Sequence, residues 1–206
     1  TMNAFGASSS EAKKYADVIA KMRTSSALDF NRIKVALSYL APVSKIAGKS
    51  FEETAAMLSV LVDNGITAAK SGRLTASAFM RLSKEGMTLE DAMNKVNEAQ
   101  RQGVKDTELL SLATKLFGVN SGAVGIILSS NRDKIDDLTK SYENAQGTLD
   151  DLTKIQLESL RAKIKILDST WEKFILNIEN GGGILSGAFS TAVTKATELL
   201  KVYTQL

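Results

Sequence analysis

The sequence predicts an all-α protein. We expect a multi-helix bundle of short capped helices, followed by a long helix with a heptad seam and a C-terminal amphipathic helix. Two observations support this prediction: apolar residues recur at helical spacing along the whole chain, and strong helix formers dominate, with one proline in 206 residues. The 44% of apolar and 24% of charged residues are typical of a folded globular chain.

The first two helices are predicted from apolar spacing. One begins near residues 8–10, and the next has a buried face whose members step by 3, 4 and 3, namely Phe30, Ile33, Leu37 and Leu40. Pro42 is expected to kink or end the second helix, because proline lacks an amide hydrogen and crowds the preceding turn.

The joint that follows contains Gly48-Lys49-Ser50, which resembles the end of a nucleotide-binding P-loop. A P-loop requires Gly-x-x-x-x-Gly-Lys-Ser after a strand, whereas position 43 is valine and the preceding pattern is helical. Gly48 instead suits a left-handed helix C-cap. Ser50 and Glu53 have the spacing of a capping box at the start of the next helix. The sequence therefore predicts a helix joint and no nucleotide-binding residues.

Three further helices are predicted at residues 69–83, 88–102 and 106–117. The second of them begins at a weaker capping box, formed by Thr88 and Asp91. Turn signals separate the segments, and each segment has one apolar face. These helices therefore complete the predicted bundle.

Three glycines punctuate a short apolar segment after residue 117, at positions Gly118, Gly122 and Gly125. They could let two helices approach closely. Alternatively, they form turns around one small buried helix, which is the interpretation that the sequence favours.

The last third predicts a continuous helix from Thr148 to Asn180, about 50 Å long at 1.5 Å per residue. Its apolar positions alternate by 3 and 4, as in a heptad seam. The seam consists of Leu157, Leu160, Ile164, Leu167, Trp171, Phe174 and Ile178. It requires a partner, which is either the chain's own helices or another copy of the protein.

A hinge is predicted next at Gly181, Gly182 and Gly183, because glycine costs about 1 kcal/mol per residue in a helix interior. An amphipathic helix is expected beyond it. The predicted domains are a compact helical core at 1–131, a long helix or helical hairpin arm at 132–180, and the hinge with the terminal helix at 181–206. Both ends of the sequence are expected to be cut from a longer chain.

The composition excludes several kinds of active site. The chain has no histidine and no cysteine, which excludes disulfides, zinc fingers and catalytic triads built on imidazole. Adjacent carboxylates such as Asp136-Asp137 lie at predicted helix starts, where they suit the helix dipole. The net charge of +3 is small, so no sequence-specific nucleic-acid binding is expected. We predict no catalytic residues, no metal site, no cofactor and no enzymatic activity.

Several short motifs go beyond a generic helical pattern. They are Leu40-Ala-Pro-Val43, Ala47-Gly-Lys-Ser-Phe-Glu-Glu-Thr54, Leu61-Val-Asp-Asn-Gly-Ile66, Ser71-Gly72, Leu116-Phe-Gly118 and Asn144-Ala-Gln-Gly147. Together they resemble the core region of phage tail tape measure proteins of the lactococcal phage type. The likeness covers roughly residues 30–189. It departs from the family after Gly72, where Arg73-Leu74-Thr75 intervenes, and over residues 84–105.

The resemblance implies a structural role and a fragment of a longer protein. Members of that family set tail length during assembly and help DNA to enter the host. The implied partners are further copies of the chain, the tail tube, the tail chaperones and the tail tip, with transient membrane contact. The implied location is the tail interior of the virion, and the bacterial host cytoplasm during assembly. The alternative hypothesis is a non-enzymatic helical module that docks a protein partner or a membrane surface through residues 184–206.

Overall fold

The computed structural model describes residues 2–180, with side chains described for residues 4–172. Every regular element in this range is helical, which confirms the all-α prediction. A 3₁₀ turn, Ser9–Glu11, precedes the second α-helix. The α-helices are α1 (Met2–Phe5), α2 (Ala12–Ser25), α3 (Phe30–Ile46), α4 (Phe51–Asp63), α5 (Ala68–Lys84), α6 (Leu89–Arg101), α7 (Asp106–Phe117), α8 (Gly122–Ser130), α9 (Arg132–Glu143) and α10 (Thr148–Asn180).

Helices α3 to α6 end with the same local device. The residue after each C-cap is a glycine with φ between 63° and 85°. The next residue then donates its amide to a carbonyl in the last turn, for example Ile66 to Leu61 at 3.1 Å and Met87 to Leu82 at 2.9 Å. This pattern is a Schellman motif, which satisfies carbonyls that the helix leaves without partners. It explains why the bundle consists of short helices.

Helix α4 lies at the centre of the bundle. Every side chain from Thr54 to Leu61 is buried, as expected for a helix that is covered on all sides. It contacts α2, α3, α5, α8 and α9. These five helices therefore pack around α4.

Pro42 was expected to kink or end helix α3. The helix continues through Pro42, so the second alternative is wrong. Pro42 is exposed, whereas its neighbours Leu40, Ala41 and Ser44 are buried. The carbonyl that loses its helical hydrogen bond is that of Ser38, which is also exposed, so water can replace the missing donor. Packing of the opposite face holds the helix together until Ile46.

Helices α3 and α5 approach each other most closely at Gly72. A Cβ atom built there would lie 2.3 Å from the carbonyl oxygen of Ala36 and 2.9 Å from its Cα. Since these are backbone atoms, no side-chain rotation could relieve the overlap. The small residues Ala36 and Gly72 thus set the distance between the two helices.

Glycines also lie where helices α7 and α8 pack together. The sequence favoured turns for all three glycines of this segment, and the structure corrects this for Gly122 and Gly125. A Cβ atom at Gly125 would lie 2.1 Å from the ring of Phe117, and one at Gly122 would lie 2.8 Å from Oγ1 of Thr114. Only Gly118, with φ of 102°, serves as a turn. In the part of the chain that the structure describes, no single helix is long and apolar enough to span a membrane, although α7 and α8 together, bent by 105°, pass by length and composition.

The first compact unit extends from Thr1 to Leu149, and the second begins at Asp150. The sequence placed this boundary at residue 131, before α9. However, α9 packs on α4, and Lys134 on α9 forms an ion pair with Asp63 at 2.9 Å. Helix α9 therefore belongs to the bundle and not to the arm.

Candidate functional site

The joint between α3 and α4 is a pair of helix caps. Gly48 has φ of 72°, and Lys49 donates its amide to the carbonyl of Ser44 at 2.9 Å. Ser50 is the N-cap of α4: its Oγ accepts from the amide of Glu53 at 3.0 Å, and its own amide donates to Glu53 Oε2 at 2.8 Å. Both halves of the capping box are present.

The Lys49 ammonium group is held by two carboxylates. It forms ion pairs with Glu53, at 3.2 Å, and with Glu90 at the start of α6. Only 11% of the Lys49 side chain is exposed. In a P-loop this ammonium would face phosphate, but here its surroundings are anionic. The geometry supports a structural ion pair between α4 and α6 and disfavours a phosphate site.

The pKa of Lys49 is raised and the pKa of Glu90 is lowered in the folded chain. Burial acts to lower the pKa of Lys49, but the hydrogen bond to Glu90 and the charges of Glu53 and Glu90 outweigh it, so the pKa lies above its usual value. Burial acts to raise the pKa of Glu90, but the hydrogen bond from Lys49, a backbone hydrogen bond and the charges of Lys49 and Arg132 together outweigh it, so the pKa lies below its usual value. Each group therefore favours the charged form of the other.

A groove of about 450 Å³ opens beside Lys49, between α4, α6 and α9. Its floor is apolar and buried, and three cations and four carboxylates also line it. The floor consists of Met57, Leu89, Met93 and Ile135, and the charged residues are Lys49, Glu53, Glu90, Arg132, Asp136, Lys140 and Glu143. Such a balanced rim provides no site for a charged substrate of either sign.

The groove also lacks imidazole and thiol groups. The chain has no histidine or cysteine, and the described residues contain no cluster of three or more acidic side chains placed to hold a metal. The nearby hydroxyl of Ser50 caps a helix by accepting from the amide of Glu53.

The second predicted cap lies at the start of α6. Thr88 Oγ1 accepts from the amide of Asp91 at 3.1 Å and donates to Asp91 Oδ2 at 2.7 Å. The Asp91 side chain, which is shorter than that of glutamate, thus contacts the threonine hydroxyl. This cap therefore differs from the reciprocal capping box that Ser50 forms with Glu53. It fixes the first turn of α6, which carries Glu90 to Lys49.

The heptad seam lies on α10, which begins at Thr148 as predicted and is described as far as Asn180. Large apolar side chains of the seam are exposed to solvent: Leu157 is 50% exposed, and Leu160 and Leu167 are each 53% exposed. Ile164 and Trp171 are half-buried. A helix 33 residues long with an apolar row at its surface is typical of a coiled-coil strand.

Some predicted residues lie outside the described part of the structure. The side chains of Phe174 and Ile178, the hinge at Gly181, Gly182 and Gly183, and the amphipathic segment 184–206 all fall there. Their predicted roles stay predictions.

Comparison with known proteins gives a family. The sequence profile of the phage-related minor tail protein family matches residues 1–167, which include the bundle and the seam as far as Leu167. The chain belongs to this family. No solved structure matches the chain.

Two curated members of tail assemblies are similar to this family member. The tape measure protein of Pneumococcus phage Dp-1 is 23% identical over 227 residues, covering 100% of this chain and 20% of that protein. The probable tape measure protein of Escherichia phage P2 is 26% identical over 194 residues, covering 82% of this chain and 24% of that protein. The chain thus spans between a fifth and a quarter of the length of these relatives.

Sequence reasoning missed the buried polar contacts of this family member. The hydroxyl of Tyr142 lies 2.8 Å from that of Ser59 and 3.1 Å from that of Ser25. Asp17, which is 1% exposed, accepts from the amide of Leu149 at 2.9 Å. Their partners lie 83 or more residues away in the sequence, so no local pattern could have revealed them.

Another missed contact involves an acid in the first turn of α4. The Glu52 carboxylate, with 7% of its side chain exposed, lies 2.7 Å from the Lys14 ammonium group on α2. The hydrogen bond to Glu52 raises the pKa of Lys14. The sequence signal was only that Glu52 sits where an acid suits the helix dipole. This ion pair adds a polar link between α2 and the central helix.

Proposed function

We propose that this chain is a structural component of a bacteriophage or prophage tail, from the core region of a tape measure protein. In this role it takes part in setting tail length and in DNA delivery, and it has no enzymatic activity. The observation that carries the proposal is the family match over residues 1–167, together with two relatives that are tape measure proteins. A role in protein packing is supported by the capped helices, the groove with its balanced charges and the exposed seam.

The bundle is not itself the measuring element. If all 206 residues formed one helix, they would span about 310 Å at 1.5 Å per residue. Residues 2–143 instead form helices of 4 to 17 residues separated by caps. Residues added to this region would therefore enlarge a compact bundle and would not lengthen an extended helix. We assign the bundle an assembly role within a longer ruler.

The proposed partners follow from this role. They are further copies of the chain, the tail tube, the tail chaperones and the tail tip. The proposed location is the tail interior of the virion, and the host cytoplasm during assembly. The family membership supports association with tail proteins, and the apolar seam supports association between copies.

Deletion of the bundle in the parent phage tests the proposal. Removing residues 2–149 in frame should give heads without tails, and electron microscopy measures this. A matched deletion of whole heptads from another long helix of the parent protein should instead shorten tails by about 10 Å per heptad. Tails of normal length and infectivity after the first deletion would contradict a structural role, and shortening in proportion to its length would contradict the assignment as a non-measuring bundle.

We also propose that copies associate through the seam of α10. Three seam leucines are half exposed, and each heptad that pairs with another copy removes apolar side chains from water. Sedimentation of the full chain should therefore show oligomers whose population rises with concentration. Leu167→Asp should dissociate them, because it places a charge within the seam. A strict monomer at high concentration would contradict self-association but not the tail role.

A further inference from the structure

Helices α3 and α5 are basic, although the net charge of the whole chain is only +3. The sequence contains no aspartate or glutamate between residues 30 and 51, or between residues 64 and 84. Among the described helices, only α3 and α5 carry lysine or arginine without any carboxylate. These two helices therefore have positive charge that no acid of their own balances.

The cations of α5 form one row on its exposed side. Lys70, Arg73, Arg81 and Lys84 are all exposed, and the exposed Ser77 lies between them, so that the five residues step by 3, 4, 4 and 3. At 100° per residue, the four cations fall within about 80° of one another around the helix. The row is about 21 Å long at 1.5 Å per residue. We call these five residues the basic row.

Neighbouring groups leave the basic row positively charged. Within the part of the chain that the structure describes, Lys70, Arg73 and Lys84 form no ion pair. Arg81 donates its Nε to the carbonyl of Lys115 at 3.0 Å, which places the backbone of a further exposed cation beside the row. Helices α3 and α8, which pack on α5, contain no carboxylate. The row is therefore available to an anion from outside the bundle.

The side chains of the row favour phosphate over a protein or membrane surface. Protein interfaces are depleted in lysine and have an apolar, often aromatic centre, and helices that lie on membranes bury Trp, Phe or Leu. Here Ser77 occupies the centre of the row, and the only large apolar side chain that α5 exposes is Met80. Lysine, arginine and serine are side chains that commonly contact DNA phosphates.

We propose that the basic row binds the sugar–phosphate backbone of duplex DNA without reading its sequence. Arg73 and Arg81 are eight residues apart, a rise of about 12 Å along α5, and the major groove of DNA is also about 12 Å wide. The two ends of the row can therefore contact phosphates on both strands across one groove. Backbone contacts carry no sequence information, so this inference agrees with the expectation of no sequence-specific binding. It goes beyond the tail role, which does not require the chain to touch DNA.

The salt dependence of DNA binding by the full chain tests the row. Fluorescence anisotropy of a labelled random-sequence duplex should show binding that weakens as salt rises, because bound cations release counterions from the phosphates. The triple variant Lys70→Gln, Arg73→Gln, Lys84→Gln should bind at least about tenfold more weakly at low salt. Its slope of log K against log salt should be shallower by about 2.7, at about 0.9 per lost phosphate contact. Arg81 is kept because its hydrogen bond joins α5 to α7.

The matched control removes three exposed cations elsewhere. The variant Arg23→Gln, Lys95→Gln, Lys105→Gln changes the net charge by the same amount as the first variant. It should keep the dissociation constant within about threefold of the unmodified chain, because long-range charge alone contributes little beyond the Debye length. Circular dichroism should give the same helix content for both variants. An equal loss of binding in the two variants would show that net charge and not the row binds DNA, which would overturn the inference.

Two further outcomes would also overturn it. One is that the unmodified chain does not bind the duplex at low salt, or that the first triple variant binds as tightly as the unmodified chain. The other is binding to vesicles of anionic phospholipid without binding to DNA, which would assign the row to membranes. None of these results bears on the tail role, which the deletion in the phage decides separately.

Discussion

Tyr142 illustrates how the bundle accommodates polar atoms at its core. The ring is fully buried, and its hydroxyl contacts serine hydroxyls at 2.8 and 3.1 Å. Since Ser25 is on α2, Ser59 on α4 and Tyr142 on α9, this one cluster ties three helices together. An unsatisfied buried hydroxyl costs about 1–3 kcal/mol. The contacts therefore favour one relative placement of the helices over others that would bury the same apolar surface.

Replacing Tyr142 by phenylalanine should lower the free energy of unfolding by about 1–2 kcal/mol, because the serines lose their partner while the ring still fills its site. Urea denaturation followed by circular dichroism measures this. Tyr39→Phe is the control, since Tyr39 is 49% exposed on α3; its change should stay within about 0.5 kcal/mol. Equal effects at the two positions would show that the buried cluster contributes nothing specific.

The Lys49 ion pairs predict a dependence of stability on pH. The pKa of Glu90 is below its usual 4.5 in the folded chain, so its contribution is present above about pH 4.5 and is lost as the pH falls through the folded value. The pKa of Lys49 is above its usual 10.5, so its contribution is present below about pH 10.5 and is lost as the pH rises through the folded value. The pair should stabilise the fold between these limits.

Lys49→Met should therefore destabilise the chain by about 1 kcal/mol or less at pH 7, since Glu90 is about half exposed and solvent screens the pair. The difference from the unmodified chain should shrink below pH 4.5. Lys34→Met, which removes an exposed cation of α3, is the control and should show no such pH dependence. Urea titrations at several pH values measure both variants, and a constant difference across the range would contradict the ion-pair account.

At the scale of the helix, the sequence predicts limits well where local chemistry sets them. The predicted limits of α7 and the predicted start of α10 match the structure, because Gly118 directly follows α7 and Gly147 directly precedes α10. Helix α3 was misjudged at Pro42, since whether proline ends a helix depends on which face it occupies. Helix α9 was misassigned because the spacing of Ile135 and Tyr142 suits any partner, and only the fold shows that the partner is α4.

The same distinction holds for the candidate site. The cap at Ser50 needs only residues 50–53 and was predicted from the sequence. The ion pair from Lys49 to Glu90 joins residues 41 positions apart, and the contact of Gly72 with Ala36 joins two helices. Contacts of this kind depend on the packing of whole helices. Periodicity predicts that a face is buried but not what it touches.

The α3–α5 contact predicts an unusual sign for a glycine substitution. In an exposed helix interior, replacing glycine by alanine stabilises by about 1 kcal/mol. Gly72→Ala should instead destabilise by about 1–3 kcal/mol, because the new Cβ would overlap backbone atoms of Ala36 and force the helices apart. Ser77→Ala, at an exposed position of the same helix, should change stability by less than about 0.5 kcal/mol. Thermal denaturation decides, and a more stable Gly72→Ala variant would contradict the close approach.

At the scale of the whole chain, the bundle and helix α10 differ in how they use their apolar side chains. Residues 1–149 form a unit with one apolar core that extends from Val18 on α2 to Ala145 after α9, while scattered apolar side chains such as Ile46 and Val119 are exposed. Along α10, by contrast, residues 155–167 leave apolar side chains exposed. The first arrangement suits a module that folds by itself, and the second suits the association surface proposed above. The curated relatives are much longer chains, in which such a module can fold locally.

Two truncations test where the module ends. The fragment 1–149 should unfold cooperatively, with a midpoint within a few degrees of the full chain, because its core is built from its own residues. The fragment 1–131 should lose most of its stability, since it lacks α9 and with it Tyr142, which is fully buried, and Ile135, which is 8% exposed. Loss of a large buried aromatic side chain alone costs about 3–5 kcal/mol, comparable with the net stability of a small domain. Thermal melts of both fragments measure the difference. If 1–131 melts as cooperatively and as late as 1–149, the contacts between α4 and α9 contribute little and the boundary belongs before α9.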